Sequence, residues 1–145
     1  MIRQYSNLDS NNLVEAINSV CIDSQWMANI SFIPTPEWLD VLNNKDSRHL
    51  LLVCSEQDQI VGWCRLFWDD LRNAELGIGL VNGYRRQGRG TELVNNALNW
   101  AYSQCIGVIS LYCHRQNLGA IEFFMRNGFI KDILVGDVWR MIKYG

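Results

Sequence analysis

The sequence predicts a single α/β domain of seven strands and four helices in the order β α α β β β α β α β β. Three observations lead to that order. Residues 49–55, 60–68 and 74–81 are largely apolar and are separated by short polar turns at 56–59 and 69–73, the pattern of three antiparallel strands joined by hairpins. Residues 88–102 carry Leu93, Val94, Ala97, Leu98 and Ala101 at positions that share one face of a helix. Residues 129–135 and 138–142 then close as a further hairpin.

The remaining elements follow in turn. Residues 1–5 read as a short edge strand, and the polar run 7–12 offers helix caps ahead of Leu13, Ile17, Val20 and Cys21 at helical spacing. Thr35 followed by Pro36 is a cap with proline at the first helical position, opening a short helix through Trp38, Leu39 and Leu42. Residues 107–113 form a further β-rich run, Asn117 caps a helix that continues through Met125, and Gly128 ends it. Without an internal repeat or a Pro/Ser/Gly-rich linker, residues 1–145 are expected to fold as one domain around one core.

Composition narrows the partners. A net charge of −2 supplies no general attraction for nucleic acid or an anionic membrane, so neither is expected as a partner. Cys21, Cys54, Cys64, Cys105 and Cys113 form an odd set without CxxC spacing, and His49 and His114 stand alone. Neither a disulfide framework nor a metal site is expected from them. The start MIRQYSNLDS lacks an apolar signal core and no apolar run approaches a membrane span, so a cytoplasmic location is expected.

The segment AELGIGLVNGYRRQGRGT, residues 74–91, runs from a strand through a basic, glycine-bearing turn into the amphipathic helix. A helix N-terminus leaves N–H groups free and carries about half a positive charge, so such a turn can hold an anion on its backbone. Gly88 and Gly90 allow close approach, and Arg85, Arg86 and Arg89 add charge suited to a pyrophosphate. Two familiar phosphate loops do not fit. Gly83 and Gly88 have P-loop spacing, but Arg89 and Gly90 replace the required Lys and Ser/Thr. Gly77 and Gly79 begin a GxGxxG whose third position is Asn82 and whose glycines lie within the strand.

The run Arg85-Arg86-Gln87-Gly88-Arg89-Gly90 resembles the acetyl-CoA signature Q/R-x-x-G-x-G/A of the GNAT N-acetyltransferase superfamily. Downstream, Asn117, Ala120, Phe123, Gly128 and Phe129 resemble the second cofactor motif of that family, N-x-x-A-x-x-x-Y-x-x-x-GF, with Phe124 at the tyrosine position. The resemblance extends over essentially the whole chain. It implies a mixed, mostly antiparallel, strongly twisted sheet with helices on both faces and a cofactor cleft between the fourth and fifth strands. It also implies that acetyl-CoA is the co-substrate. Backbone amides from Arg85 and Arg86 through Gln87, Gly88, Arg89, Gly90 and Thr91 would hold its pyrophosphate. The backbone of Leu80, Val81 and Asn82 would pair with its pantetheine arm, and Asn117 and Phe124 would line the other side. The acceptor would be a primary amine of a small molecule or a peptide.

An alkylammonium has a pKa of about 10, so an attacking amine needs a route for its proton at neutral pH. Strand alternation puts Glu75, Gly77 and Gly79 on one face and Leu76, Ile78 and Leu80 on the other, which makes Glu75 the candidate base. A backbone N–H near Leu80 or Val81 is the candidate oxyanion donor. The competing assignment for Glu75 is a solvated charge on a half-exposed strand. Phe124 lacks the hydroxyl that the family uses to protonate the departing thiolate, and Tyr84 and Tyr112 are the possible substitutes. Trp26, Phe32 and Trp38 lie where this family shapes its acceptor pocket, and Asp69 and Asp70 are weighed as attractors of a cationic amine. The alternative to catalysis is a non-catalytic acyl-CoA-binding sensor or interaction module. A second copy of the chain is a candidate partner through the hairpin at 129–142.

Overall fold

The computed structural model describes residues 1–23, 36–43, 48–81, 83–85 and 87–145. Seven strands form one sheet: β1 (Ile2–Gln4), β2 (His49–Glu56), β3 (Gln59–Trp68), β4 (Asn73–Leu80), β5 (Val108–His114), β6 (Ile130–Val135) and β7 (Val138–Tyr144). They lie side by side in the order β1-β2-β3-β4-β5-β7-β6. Every neighbouring pair is antiparallel except β4 and β5, which run parallel. The helices are α1 (Ser10–Asp23), α2 (Pro36–Leu42), α3 (Arg89–Ser103) and α4 (Leu118–Arg126). The element order and the mixed, mostly antiparallel sheet are those expected from the sequence. No helix among the described residues is long and apolar enough to cross a membrane.

Both faces of the sheet are covered, and the β2 sequence shows why. Leu50 and Leu52 join one buried cluster while Leu51 and Val53 join another, so an unbroken apolar run serves two cores. One cluster packs Leu66, Leu76, Ile109, Leu111 and Met141 under Leu93, Val94, Ala97, Leu98 and Ala101 of α3, the face the periodicity predicts, together with Phe124 and Phe129. The other packs Leu51, Val53 and Trp63 under Leu13, Ala16, Ile17 and Val20 of α1 and Val41 and Leu42 of α2. Tyr5 ties this second layer down, its hydroxyl donating to the Leu42 carbonyl at 2.7 Å.

Local chemistry explains the ends of these elements. Before α1, the first cap is Ser6, one residue earlier than the polar run suggests. Its side chain and that of Asp9 bond each other's backbone in a capping box around a short 3₁₀ turn. The Arg3 guanidinium then bonds both Asp9 oxygens, at 2.7 and 2.8 Å, and holds that carboxyl below its ordinary pKa. The β2–β3 hairpin turns on Gln57 and Asp58, both at positive φ, as a two-residue turn matching strand twist requires.

One glycine of the sheet makes room for an aromatic ring from the neighbouring strand. The Trp63 indole lies directly over Gly79 of β4, so a side chain at that position would run into the ring. We expect Gly79→Val to destabilise the fold by about 1–3 kcal/mol, read from the urea midpoint at unchanged slope, through overpacking of a site with no spare volume.

Candidate active site

The parallel contact between β4 and β5 is short. It covers three rungs, Asn73 with Val108, Ala74 with Ile109 and Glu75 with Ser110. Beyond Glu75, β4 continues to Leu80 against β3 alone, while β5 continues to His114 against β7. The sheet therefore divides at Glu75, leaving a gap between Leu76–Leu80 and the far half of β5. The exposed Glu75 side chain sits on the last joined rung, on the α1/α2 side of the sheet.

Backbone polar groups line that gap. The Val81 N–H donates to the Val61 carbonyl at 2.8 Å, so of the two candidate oxyanion donors this one is already committed to β3. Bonded and non-bonded pairs alternate along an antiparallel ladder, so Leu80, opposite Gly62, turns its N–H and C=O away from β3 toward the gap. The Arg85 Nε donates to that Leu80 carbonyl at 2.9 Å.

At the open end of the gap stands the start of α3. Its N-cap, Gly88, is in the left-handed conformation with φ +83° and makes no side-chain cap bond. The first backbone bond into the helix runs from the Glu92 N–H to the Gly88 carbonyl, at 3.0 Å. The N–H groups of Arg89, Gly90 and Thr91 are thus the orphan donors of the first turn. At α4, by contrast, the Asn117 Oδ1 accepts from the Ala120 N–H at 3.3 Å. An uncapped helix start beside a glycine with open space around it fits a phosphate-bearing ligand.

The two glycines of the turn have different reasons for being glycine. A Cβ at Gly88 would meet nothing within 4 Å, so its backbone angle is what excludes other residues. A Cβ on the buried Gly90 would come within 3.3 Å of Phe123 and 3.4 Å of Leu80, so this residue lets the first turn of α3 settle against α4 and the end of β4. On its Cβ side, Gly90 is therefore closely approached by protein.

Neighbouring side chains shape the loop further. Arg89 bonds Glu56 at 3.1 Å, bonds the Gln87 amide oxygen, and stacks its guanidinium carbon 5.3 Å from the Tyr84 ring centroid. Gln87 in turn donates to the Gly83 carbonyl at 3.3 Å. Arg85, Gln87, Gly88 and Thr91 are exposed. Asn82 and Arg86 lie outside the described residues, as do Trp26 and Phe32.

The remaining candidates divide between structure and chemistry. Phe124 is only 7 % exposed, its ring edge-on to Phe123 and Phe129, which makes it a wall of the core beneath the gap. The exposed Tyr112 stands two residues past the split on β5, on the same face as Glu75, while Tyr84 is engaged with Arg89. The Asp69 carboxylate accepts from the N–H groups of Leu71 and Asn73, each at 2.9 Å, and so builds its own turn. Asp70 pairs with Arg48. That turn adjoins the joined end of β4, away from the gap, so neither aspartate faces the site.

Burial pushes the Cys64 thiol up to about 12, and desolvation also raises Cys54 and Cys113, which marks all three as packing groups. Sequence reading passed over Arg65, which the structure places on the same face as Glu75, beside Trp38 of α2. A single charge within the apolar run IVGWCRLFW was the available signal.

Comparisons with known proteins agree with this geometry. A protein from Streptococcus pneumoniae described as an acetyltransferase of the GNAT family has the same fold, with a TM-score of 0.87 at 22% identity over 100% of this chain and 99% of that one. PaiA N-acetyltransferase from Thermoplasma acidophilum, solved in complex with coenzyme A, gives 0.79 at 21% identity, covering 100% and 98% of the two chains. An uncharacterized N-acetyltransferase of Methanocaldococcus jannaschii is 37% identical over 60 residues, which is 41% of this chain and 26% of that relative's length. The chain thus spans about a quarter of that relative. The profile of the acetyltransferase (GNAT) family matches residues 18–129, well over half of the sequence. The chain belongs to the acetyltransferase (GNAT) family, the superfamily of acetyl-CoA-dependent N-acetyltransferases.

Proposed function

We propose that the chain is an N-acetyltransferase that moves an acetyl group from acetyl-CoA to a primary amine of a small molecule or peptide. The observation that carries this reading is the uncapped start of α3 beside the division of the sheet at Glu75. In the proposed arrangement the amides at Arg89, Gly90 and Thr91, with the preceding loop, hold the pyrophosphate. The gap-facing backbone of Leu80 pairs with the pantetheine arm, and Phe124 backs the other wall. Acetyl-CoA supplies an activated acetyl group as a thioester.

Glu75 accepts the proton that an alkylammonium must lose before its nitrogen can attack the thioester carbonyl. The Leu80 N–H steadies the oxygen as the carbon becomes tetrahedral. The carbon–sulfur bond then breaks. A thiol with an ordinary pKa of about 8.5 leaves as thiolate without a strong acid, so the missing hydroxyl at Phe124 does not bar the reaction.

A non-catalytic acyl-CoA sensor is the second reading, favoured by Phe124 itself. The two separate in one experiment that combines calorimetry with acetyl-CoA and a thiol-reagent assay of CoA release over an amine panel. Catalysis requires release that depends on both acetyl-CoA and an amine. Tight binding without release from any amine supports the sensor, and no binding at all removes both.

A further inference from the structure

The layer of α1 and α2 rests on β2, β3 and Val81, and its buried cluster takes in no described residue of β5, β7 or β6. On that side of the sheet the pairing registers line up Ser110 and Tyr112 of β5 with Ile142 and Arg140 of β7 and with Ile130 and Ile133 of β6. Val138, Val135 and Tyr144 extend the same face at its two ends. Tyr112, Ile130, Ile133, Val135 and Tyr144 are each between 53% and 65% exposed. Large apolar groups scattered singly on a surface need no partner, but these five sit on three adjacent strands and form one patch.

Size and charge both suit burial of that patch. At those exposures the five side chains present about 600 Å², and the half-buried Val138 and Arg140 bring the face close to the ~800 Å² that each partner contributes to a stable complex. Arg140 pairs with Asp132, so its charge is already compensated within the patch. The outer edge of β6 is less suited to contact. Its register shifts between Lys131 and Ile133, and a bulge that carries Lys131 and Asp132 side by side interrupts the ladder an added strand needs. The contact expected at the hairpin thus moves from its edge to its face.

Shape decides what covers the face. Small ligands bind in concave sites, whereas the face of a three-stranded sheet is broad and accepts another sheet at about 10 Å. A second copy of the chain brings the same patch, and a twofold contact buries both at once and closes at two subunits. Tyr112 and Tyr144 fit such a contact, since a tyrosine buries its ring while its hydroxyl keeps a hydrogen bond.

We propose that the chain forms a twofold dimer through the α1/α2-side face of β5, β7 and β6. The patch begins at Tyr112, two residues beyond the rung that joins Glu75 to Ser110, so the interface adjoins the gap in the sheet.

The test is sedimentation equilibrium of the full chain over a hundredfold range of concentration. For the wild type we expect a dimer with a dissociation constant at or below about 10 µM, as an interface of this size allows. Ile133→Glu puts a charge in the middle of the patch, opposite Arg140 of its own sheet, and should weaken the dimer by about 100-fold. Val135→Lys, nearer the hairpin turn, should weaken it by about 10-fold. Leu134→Lys, on the α3 side of the same strand, should leave it as it is. Far-ultraviolet circular dichroism reports whether each variant is folded. Were Ile133→Glu to unfold, Val135→Lys decides alone: an undiminished dimer overturns the proposal and a weakened one supports it. A wild-type monomer throughout the range overturns it, as does an assembly that grows beyond two subunits. Dissociation by Leu134→Lys as complete as that by Ile133→Glu places the contact elsewhere on the hairpin and overturns it too. None of these outcomes bears on acetyl transfer, which the CoA-release assay tests by itself.

Discussion

Glu75→Gln is expected to lower kcat by about 10²–10⁴-fold, the range of a positioned general base, while the affinity for acetyl-CoA stays as it is. The reason is position. Glu75 stands on the last rung that joins β4 to β5, with its carboxylate exposed on the side opposite α3. A glutamine there keeps the shape and the hydrogen-bonding reach but cannot take a proton from an ammonium. The variant should then depend on amine that is already neutral in solution, and its rate should climb with pH toward the amine pKa of about 10. The wild type should level off at lower pH. The measurement is a kcat–pH profile for both proteins with the best acceptor, and superimposable curves would show Glu75 to be a surface charge.

The second large effect is expected at Gly88. Its φ of +83° places it where a Cβ costs about 1–2 kcal/mol, and a β-branched side chain costs more. Relief of that strain would turn the loop and spoil the convergence of the N–H groups at the head of α3. Hydrogen bonds to a charged partner contribute about 1.5–3 kcal/mol each, so losing even one costs an order of magnitude in affinity. We expect Gly88→Val to weaken acetyl-CoA binding by about 100-fold in calorimetry. Gly88→Asn should do much less harm, since asparagine visits this conformation readily. An equal loss in both variants would show that the ligand needs the space at Cα, and full affinity in Gly88→Val would falsify the assignment of the loop.

Much of this architecture was legible in the sequence because local pattern and tertiary burial agree. The helical spacing of Leu93, Val94, Ala97, Leu98 and Ala101 describes the buried face of α3, and Asn117 caps α4 as its residue type suggests. The turn at Gln57 and Asp58 was visible as a polar break, although Gln57, unlike Asp58, does not advertise positive φ. The division of the sheet follows from a resemblance at the level of the whole chain, since nothing in Leu76–Leu80 itself says where pairing with β5 stops.

The side-chain surroundings were the least readable. Whether Phe124 faces a ligand or a core depends on Phe129 and Phe123, and whether Asp69 faces solvent or its own turn depends on the backbone it bonds. Arg65 escaped notice for the same reason, as its meaning comes from Trp38, which reaches it from a separate helix.

If the pantetheine arm pairs with Leu80 as proposed, the reach of Arg85 back to the Leu80 carbonyl makes its entry an exchange. An incoming amide must replace a charged donor already in place, which by itself brings little net gain. Once displaced, the guanidinium can turn to a phosphate. A molecule that carries both groups trades one bond for two, whereas a pantetheine fragment stripped of its diphosphate merely swaps partners. In the proposed arrangement the loop would thereby favour the intact coenzyme over its pieces.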